Sequence, residues 1–270
     1  MAIVKIGNAP DLLVGTGANG ALEAKRAEDV RAAIGVAPAL QTDVTIYVSP
    51  TGSDVEGDGS QEAPYATIQR AVDSVPKYLN AHTAAINIAD GEYDEAVIIL
   101  GFTAGTLALG GRTVSSAIIR NIAVLNSRIV IIKNCTLKNI GATEIQPHAL
   151  LYVNEDSCAV LGNVTIDCGA TNCHGMYVSN SKVITSGAAT LTINNVDFVN
   201  GRCAFGTYGA HISLFKIAGV NATDKTVWGI CSEYGSIVAY QENALTANTA
   251  YRTVYGGRIY GGGQTSIPNY

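Results

Sequence analysis

The sequence is poor in charged residues and lacks the marks of several common protein classes. Charged side chains make up 14% of its 270 residues, where about a quarter is usual. The net charge is -5 and no cluster of Lys or Arg occurs, which argues against nucleic acid or an anionic membrane surface as a partner. No stretch reaches the roughly 18 apolar residues of a membrane-spanning helix. The N-terminus also lacks the apolar core of a secretion signal.

The cysteines point to neither a disulfide framework nor a metal centre. Six occur at irregular spacing, with no Cys-x-x-Cys pair, whereas disulfide frameworks are typical of short secreted domains. Cys168, Cys173 and His174 match no usual zinc spacing and lack a fourth ligand. Cys135 stands where related segments have Val, so we expect it to be a small apolar core residue. The sequence therefore predicts reduced thiols, no metal and no cofactor.

What the sequence does contain is a repeat. Glycine is abundant at 29 residues, and short Val-, Ile- and Thr-rich runs are broken by Gly, Asn and Ser, which favours a β-rich solenoid. In the first three repeats an apolar, polar, apolar sequence follows the aligned position, which is the period of a half-buried strand. Stacked Asn side chains at a corner can pass hydrogen bonds from coil to coil, and Asn tolerates left-handed backbone. The aligned positions, spaced by 29, 32, 24 and 24 residues, are Asn134, Asn163, Asn195, Gly219 and Asn243.

A second repeat supports the same architecture. Tyr-Gly pairs at Tyr208, Tyr234 and Tyr255 recur after 26 and 21 residues, and LLYVNEDS matches GMYVSNS at a spacing of 25. Coils of roughly 21 to 32 residues with short strands and tight turns are typical of a parallel β-helix. We therefore predict an all-β chain folded as a right-handed parallel β-helix solenoid.

The two ends of the chain are expected to differ from the body. Residues 1–40 are predicted to form an extended N-terminal arm with one short helix, from Ala21 to Ile34. Residues 41–270 form the body. An amphipathic helix at about 66–79 is expected to cover its first coil, and a closing coil at about 251–270 is expected to complete the other end.

The region from Ile46 to Ile99 resembles a known superfamily. Its segments YVSPTGSD, GDGS, PYATIQRAVDSVP and INIADGEYDEAVII are similar to the opening coil and cap helix of the pectate-lyase-like superfamily, above all of bacteriophage tailspikes and virion fibres. The segment EDVRAAIG in the arm resembles linkers near the N-termini of phage tail fibres. The resemblance implies a homotrimeric virion subunit, assembled in the host cytoplasm, whose residues 1–40 bind capsid or tail proteins. Pectin methylesterases share this opening, but their downstream catalytic segments are missing here, so no catalytic residue is carried over.

Tyrosines supply the candidate binding residues. Nine of the thirteen lie at or after Tyr152, together with the single Trp. Tyrosine combines an apolar face with a polar tip, which suits both sugar stacking and subunit packing. The residues we select as candidates for binding a bacterial surface glycan are Tyr208, Tyr234, Tyr255 and Trp228.

Acidic residues give a weaker candidate site. Only seven carboxylates occur from Ala149 to the end. Asp167 and Asp197 are expected to point outward on neighbouring coils, roughly 8 Å apart, which is within the range of inverting glycosidases. Any two outward acids on adjacent coils would satisfy that geometry, so the sequence predicts no enzyme. Three alternatives stay open: a fibre or spike subunit for host attachment, a capsule or wall polysaccharide depolymerase, and a capsid or tail decoration without a ligand.

Overall fold

The computed structural model is a parallel β-solenoid with little helix. It describes residues 4–5, 12–16, 22–26, 39–113, 116–138, 140, 149–168, 174–187, 189–194, 203–218, 228–243 and 249–261. The elements are β1 Val4–Lys5, β2 Leu12–Thr16, β3 Leu22–Arg26, β4 Val44–Val48, α1 Ile68–Ser74, β5 Thr83–Ile88, β6 Gly91–Leu100, β7 Thr106–Gly110, β8 Ala117–Leu125, β9 Val130–Lys138, β10 Ala149–Asn154, β11 Cys158–Asp167, β12 His174–Ser179, β13 Lys182–Thr185, β14 Thr190–Asn194, β15 Cys203–Tyr208, β16 His211–Ala218, β17 Trp228–Glu233, β18 Ile237–Asn243, β19 Thr249–Val254 and β20 Arg258–Gly261.

The strands stack in parallel along three faces. The first face runs β4, β5, β7, β9, β11, β13, β16, β18, β20. The second runs β6, β8, β10, β12, β15, β17, β19. The third face contains the first residues of β6 and β8, the C-terminal halves of β9, β11, β16 and β18, and β14. Long strands therefore turn a corner and belong to two faces. The predicted parallel β-helix is confirmed.

The core is a column of apolar side chains inside these faces. In β11, Ala159, Leu161, Val164 and Ile166 are buried at alternate positions, as the period of a strand requires. Each buried side chain of Ile or Leu size contributes roughly 1.5–3 kcal/mol. Cys135 lies in register with Val164 and is fully buried, and burial raises the pKa of its thiol to about 12. The prediction that Cys135 is an apolar core residue is confirmed.

Asparagine forms the corner between the first and third faces, as predicted, in the two coils that match best. Asn134 and Asn163 lie in register, and both have left-handed backbone, with φ of 50° and 55°. The Asn163 side-chain oxygen accepts a hydrogen bond from the Thr190 N–H of the next coil at 3.0 Å. Asparagine thus joins one coil to the next at this corner.

The predicted continuation of this column is wrong. Val164 pairs with Leu191, so Thr190 stands opposite Asn163, 27 residues on rather than 32. Asn243 lies opposite Ile217, which itself lies opposite Leu191, so it is one position away from the predicted column. Asn195 and Gly219 lie outside the described residues. The register follows the alternation of apolar residues, because a slip of one residue would turn every core side chain outward.

Serine forms the corner between the second and first faces, which the sequence analysis missed. Ser127, Ser157, Ser181 and Ser236, the serine ladder, are all buried. The Ser127 N–H donates to Ser157 Oγ at 3.1 Å, and the Ser157 N–H donates to Ser181 Oγ at 3.1 Å. The Phe102 and Ala210 N–H groups donate likewise to Ser127 Oγ and Ser236 Oγ. Each serine therefore satisfies a buried backbone donor of the preceding coil, which would otherwise be costly.

The N-terminal arm contains strands where a helix was predicted. β1, β2 and β3 form an antiparallel sheet in which Leu12 pairs with Arg26. Leu22–Arg26 is therefore extended, and the prediction of a helix from Ala21 is wrong there. Residues 27–34 of that helix lie outside the described residues. Residues that favour a helix adopt a strand here because pairing with β2 supplies partners for their backbone groups. The Asn19-Gly20 pair in the sequence between the two strands is typical of a hairpin turn.

The predicted helix at 66–79 is shorter, Ile68–Ser74. It begins after Thr67, whose hydroxyl accepts from the Arg70 N–H, and it ends before Val75, because the residue that precedes Pro76 is disfavoured in helical backbone. Ile68, Ala71 and Val72 are buried.

Two polar contacts hold α1 beside β6. The Glu95 carboxylate accepts from the Ile68 and Gln69 N–H groups at 2.7 and 2.9 Å, and burial raises its pKa above the usual value. The Gln69 side chain accepts from the Ile98 N–H and donates to the Ile98 carbonyl. A glutamine thereby takes the place of a neighbouring strand along β6. That α1 covers the open end of the solenoid stays a prediction.

The serine ladder allows a matched pair of substitutions. We expect Ser157→Ala to lower the free energy of unfolding by about 1–3 kcal/mol, because the buried Ser127 N–H loses its acceptor. The ladder is interrupted at Ala210, which offers no hydroxyl to the Ser181 N–H, so Ala210→Ser is expected to raise that free energy by about 1 kcal/mol. Chemical denaturation measures both values.

The control is Ser213→Ala, since Ser213 is exposed and lies outside the ladder. A decrease for Ser213→Ala as large as that for Ser157→Ala would contradict a stabilising role for the ladder.

Candidate functional site

The candidate site is a row of tyrosines on the outside of the serine corner. The motifs Tyr234-Gly235-Ser236 and Tyr255-Gly256-Gly257 each turn the chain from the second face to the first. Tyr234 and Tyr255 both have φ of 50°, and the glycines that follow have φ of 74° and 81°. This double left-handed turn directs the next residue inward. Tyr234 and Tyr255 stay outside, so the repeated turn places their rings above one another. Tyr208 ends β15 in register with Glu233 and is followed by a single left-handed residue, Gly209.

The three rings form a continuous stack, which we call the tyrosine ladder: Tyr208, Tyr234 and Tyr255. The ring centroids of Tyr208 and Tyr234 lie 4.4 Å apart, and those of Tyr234 and Tyr255 lie 4.7 Å apart. These separations approach the spacing of adjacent strands. The residues are 41%, 45% and 70% exposed, respectively. The structure therefore brings together three of the four predicted binding residues.

The stacking determines what the ladder can bind. The interplanar angles are 39° and 25°, so the faces of Tyr234 are covered by its neighbours. Its exposed surface is therefore the ring edge and the hydroxyl group. Tyr255 has a described ring against one face only, and its exposure is the largest of the three. A sugar ring can therefore stack on Tyr255, while the edges and phenol groups offer a row of hydrogen-bonding positions.

Trp228, the fourth candidate, begins β17, whereas Tyr234 follows the end of that strand. Six residues of extended chain separate them by roughly 20 Å, so the backbone does not bring Trp228 to the ladder. Its side chain lies outside what the structure describes.

A smaller aromatic cluster lies on the second face. Tyr152 and Tyr177 lie in register with ring centroids 6.0 Å apart, and the His174 ring lies 5.3 Å from that of Tyr177. The Asn154 side chain donates to the Tyr152 hydroxyl at 2.9 Å. Both tyrosines are half-buried and pack along the sheet, so they suit lateral packing more than ligand binding.

The acidic pair is not assembled among the described residues. Asp167 ends β11, and one of its carboxylate oxygens lies 3.8 Å from the Lys138 ammonium group. The side chain is 18% exposed. Asp167 is thus engaged with a cation on the neighbouring coil. Asp197 lies outside the described residues, so the predicted separation of the two carboxylates stays a prediction.

The remaining features concern the cysteines, metal ligands and membrane-spanning helices. Cys135, Cys158 and Cys168 are free thiols, while Cys173 lies outside the description. In the part of the chain that is described, no three His, Cys, Asp or Glu side chains converge as metal ligands. Nor does any helix there have the length and apolar character needed to cross a membrane.

Comparison with known proteins leaves the site to be interpreted from its geometry. No protein-family model, curated protein or solved structure matches the chain.

Sequence reasoning found the tyrosines but missed their setting. The serine ladder has a readable signal, because a residue suited to left-handed backbone directly precedes Ser in each of Asn126-Ser127, Asp156-Ser157 and Asn180-Ser181. Gly235-Ser236 follows the same rule. Reading these dipeptides as one repeated corner would have placed Tyr234 and Tyr255 on it as well.

The stack predicts unequal costs for two identical changes. Tyr234→Ala removes two ring contacts and Tyr255→Ala removes one, and each such contact contributes about 0.5–1.5 kcal/mol. We expect the Tyr234 variant to lose roughly twice as much free energy of unfolding. The residues share the same backbone φ, so each variant serves as the conformational control of the other. A Tyr234 variant that loses no more free energy than the Tyr255 variant in denaturant titrations would contradict a stabilising role for the ring contacts.

Proposed function

We propose that this chain is a structural subunit of a bacteriophage virion fibre or spike that attaches the particle to a glycan on the host surface. The observation that carries the proposal is the tyrosine ladder, a row of solvent-exposed rings fixed along a β-solenoid. Rigid aromatic groups bind with a small loss of conformational entropy, because their positions are already set. The resemblance of residues 46–99 to tailspike openings supports the choice of a virion protein.

The absence of catalysis is part of the proposal. Glycoside hydrolysis requires one carboxylic acid and one carboxylate on either side of the bond. The Asp167 carboxylate is engaged by the Lys138 ammonium group on the neighbouring coil, and its predicted partner Asp197 lies outside the described residues. This contact favours attachment over the alternative function, a polysaccharide depolymerase.

Homotrimer formation is proposed from the exposed apolar surface. Ile98 and Leu100 on the second face and Ile129 beside the first face are each more than two fifths exposed. Apolar side chains in neighbouring positions favour packing against another copy. A decoration protein without a ligand would also use such surfaces, but it would not require the exposed ring of Tyr255.

Glycan binding by the ladder is tested with Tyr255→Ala. Fluorescent, full-length chain is titrated onto wall and capsule preparations of candidate hosts. Losing the stacking ring is expected to weaken binding by about tenfold, or about 1.4 kcal/mol, while Tyr78→Ala, which removes an exposed tyrosine elsewhere, leaves it unchanged. Unchanged binding by the Tyr255 variant would contradict the proposed site. Release of reducing ends by the wild-type chain, abolished by Asp167→Asn, would favour the depolymerase instead.

The anchor role of the arm is tested by deletion. The described solenoid already includes Leu40, which is buried and whose N–H donates to the Tyr78 carbonyl, so the deletion is best made at residue 38. The remaining chain is expected to fold and, by mass photometry, to form trimers, but not to enter particles. A truncated chain that assembles onto virions would refute the anchor, and a stable monomer at micromolar concentration would refute the trimer.

A further inference from the structure

A groove lies at the opposite end of the stack from the tyrosine ladder, on the corner between the first and third faces. Its volume is about 740 Å³, which is within the usual range for a small-molecule site. The ends of the first-face strands form one side of it, where Tyr47, Asn87, Gly110 and Lys133 lie in register. The loop that carries Gln61, Glu62 and Pro64 forms the other side. We call this cavity the corner groove.

Two glycines let neighbouring coils approach closely in the wall of the groove. A Cβ atom on Gly110 would lie 2.2 Å from the Lys133 carbonyl oxygen, and one on Gly111 would lie 2.7 Å from that of Asn134. Neither position can hold a side chain without moving the backbone. The space that a Gly110 side chain would take is filled by the Lys133 carbonyl group and Cγ atom, so the Lys133 side chain starts directly beside the end of β7.

Several polar side chains that line the corner groove have no partner among the described residues. Arg112 and Lys133 line it, are exposed and form no ion pair with any residue that the structure describes. The amide side chains of Gln61, Asn87 and Asn134 also line it, and none of them hydrogen-bonds to a described residue. The lining contains these two cations and one acidic side chain, Glu62, so its net charge is positive although that of the chain is -5.

The groove walls also include apolar and aromatic surface. Val48 and Ile88 are buried at its base, and Tyr47 is half-buried beside them. An aromatic ring, several amides and two cations together suit a ligand that has an apolar ring face, hydroxyl groups and an oxyanion. A neutral sugar would leave the cations without a partner.

We propose that the corner groove binds a saccharide bearing an oxyanion, a carboxylate or a phosphate, which Arg112 and Lys133 contact directly. The site goes beyond the proposed attachment role and does not depend on it, since the tyrosine ladder lies in the last described coils and the groove in the first ones.

Ligand-observed NMR of the full-length chain with three matched probes tests the proposal: glucose, glucuronic acid and glucose 6-phosphate at millimolar concentration. We expect one or both of the acidic sugars to bind, more weakly as salt is added, and glucose to show no comparable binding. The acidic sugar that binds more tightly identifies the ligand as a carboxylated or a phosphorylated glycan. Binding of glucose as tight as that of the acids, or binding of none of the three, would overturn the proposal.

Variants assign the binding to this groove. Arg112→Gln and Lys133→Gln are each expected to weaken binding of the acidic sugar by about tenfold or more. Arg112→Lys keeps the charge and is expected to retain most of the binding. Arg128→Gln and Lys182→Gln change the net charge equally at exposed positions outside the groove, and they are expected to have effects within about twofold.

Unchanged binding in both groove variants, or equal weakening in the two controls, would overturn the assignment. Tyr255→Ala separates this site from the tyrosine ladder. The variant is expected to bind the acidic sugar as the wild-type chain does, whatever its effect on attachment to host glycan.

Discussion

The solenoid depends on satisfying backbone groups at buried corners. A parallel ladder supplies partners along each face, but the N–H groups that turn inward at a corner have no strand opposite them. The serine ladder supplies these partners at the corner between the second and first faces, because each hydroxyl accepts from an N–H group of the preceding coil. Asn163 does the equivalent at the next corner with a side-chain oxygen. Sharp corners hold the three faces around a narrow apolar core, and that core sets the register of every strand.

The tyrosine ladder is a consequence of the same requirement. A serine can point inward at Ser236 because the two residues before it adopt left-handed backbone, and Tyr234 is one of them. Its ring then projects outward and meets the ring of Tyr255 in the equivalent turn and that of Tyr208 at the end of β15. The exposed surface proposed for glycan attachment therefore rests on the interaction that closes the core beneath it. Stacking of the rings offsets part of the free-energy cost of placing a bulky residue in left-handed backbone.

The sequence predicted the parallel β-helix because its apolar residues alternate as in half-buried strands and this pattern recurs from coil to coil. It also predicted the stacking of Asn134 on Asn163 and the equivalent turns at Tyr234 and Tyr255. It aligned Tyr208 with Tyr234, whereas the structure pairs Tyr208 with Glu233, although the two rings are in contact. It failed where a single residue type was followed without its burial pattern. The later members of the asparagine column were placed by matching Asn, whereas Leu191 and Ile217 determine the register. The helix at Ala21 was predicted from propensity, which strand pairing overrides at Leu22–Arg26. The corner groove was not predictable, because loop and strand ends meet there from distant parts of the sequence.

The parallel stacking has a consequence for how such a chain can change in length. Each coil contacts the coils before and after it, and the Tyr-Gly turn carries its own means of joining them. Duplicating one such unit would lengthen the tyrosine ladder by about 4.8 Å while leaving the existing contacts of the other coils in place. The number of rings can thus grow in fixed increments, by copying a segment of one coil, without any change to the first coils.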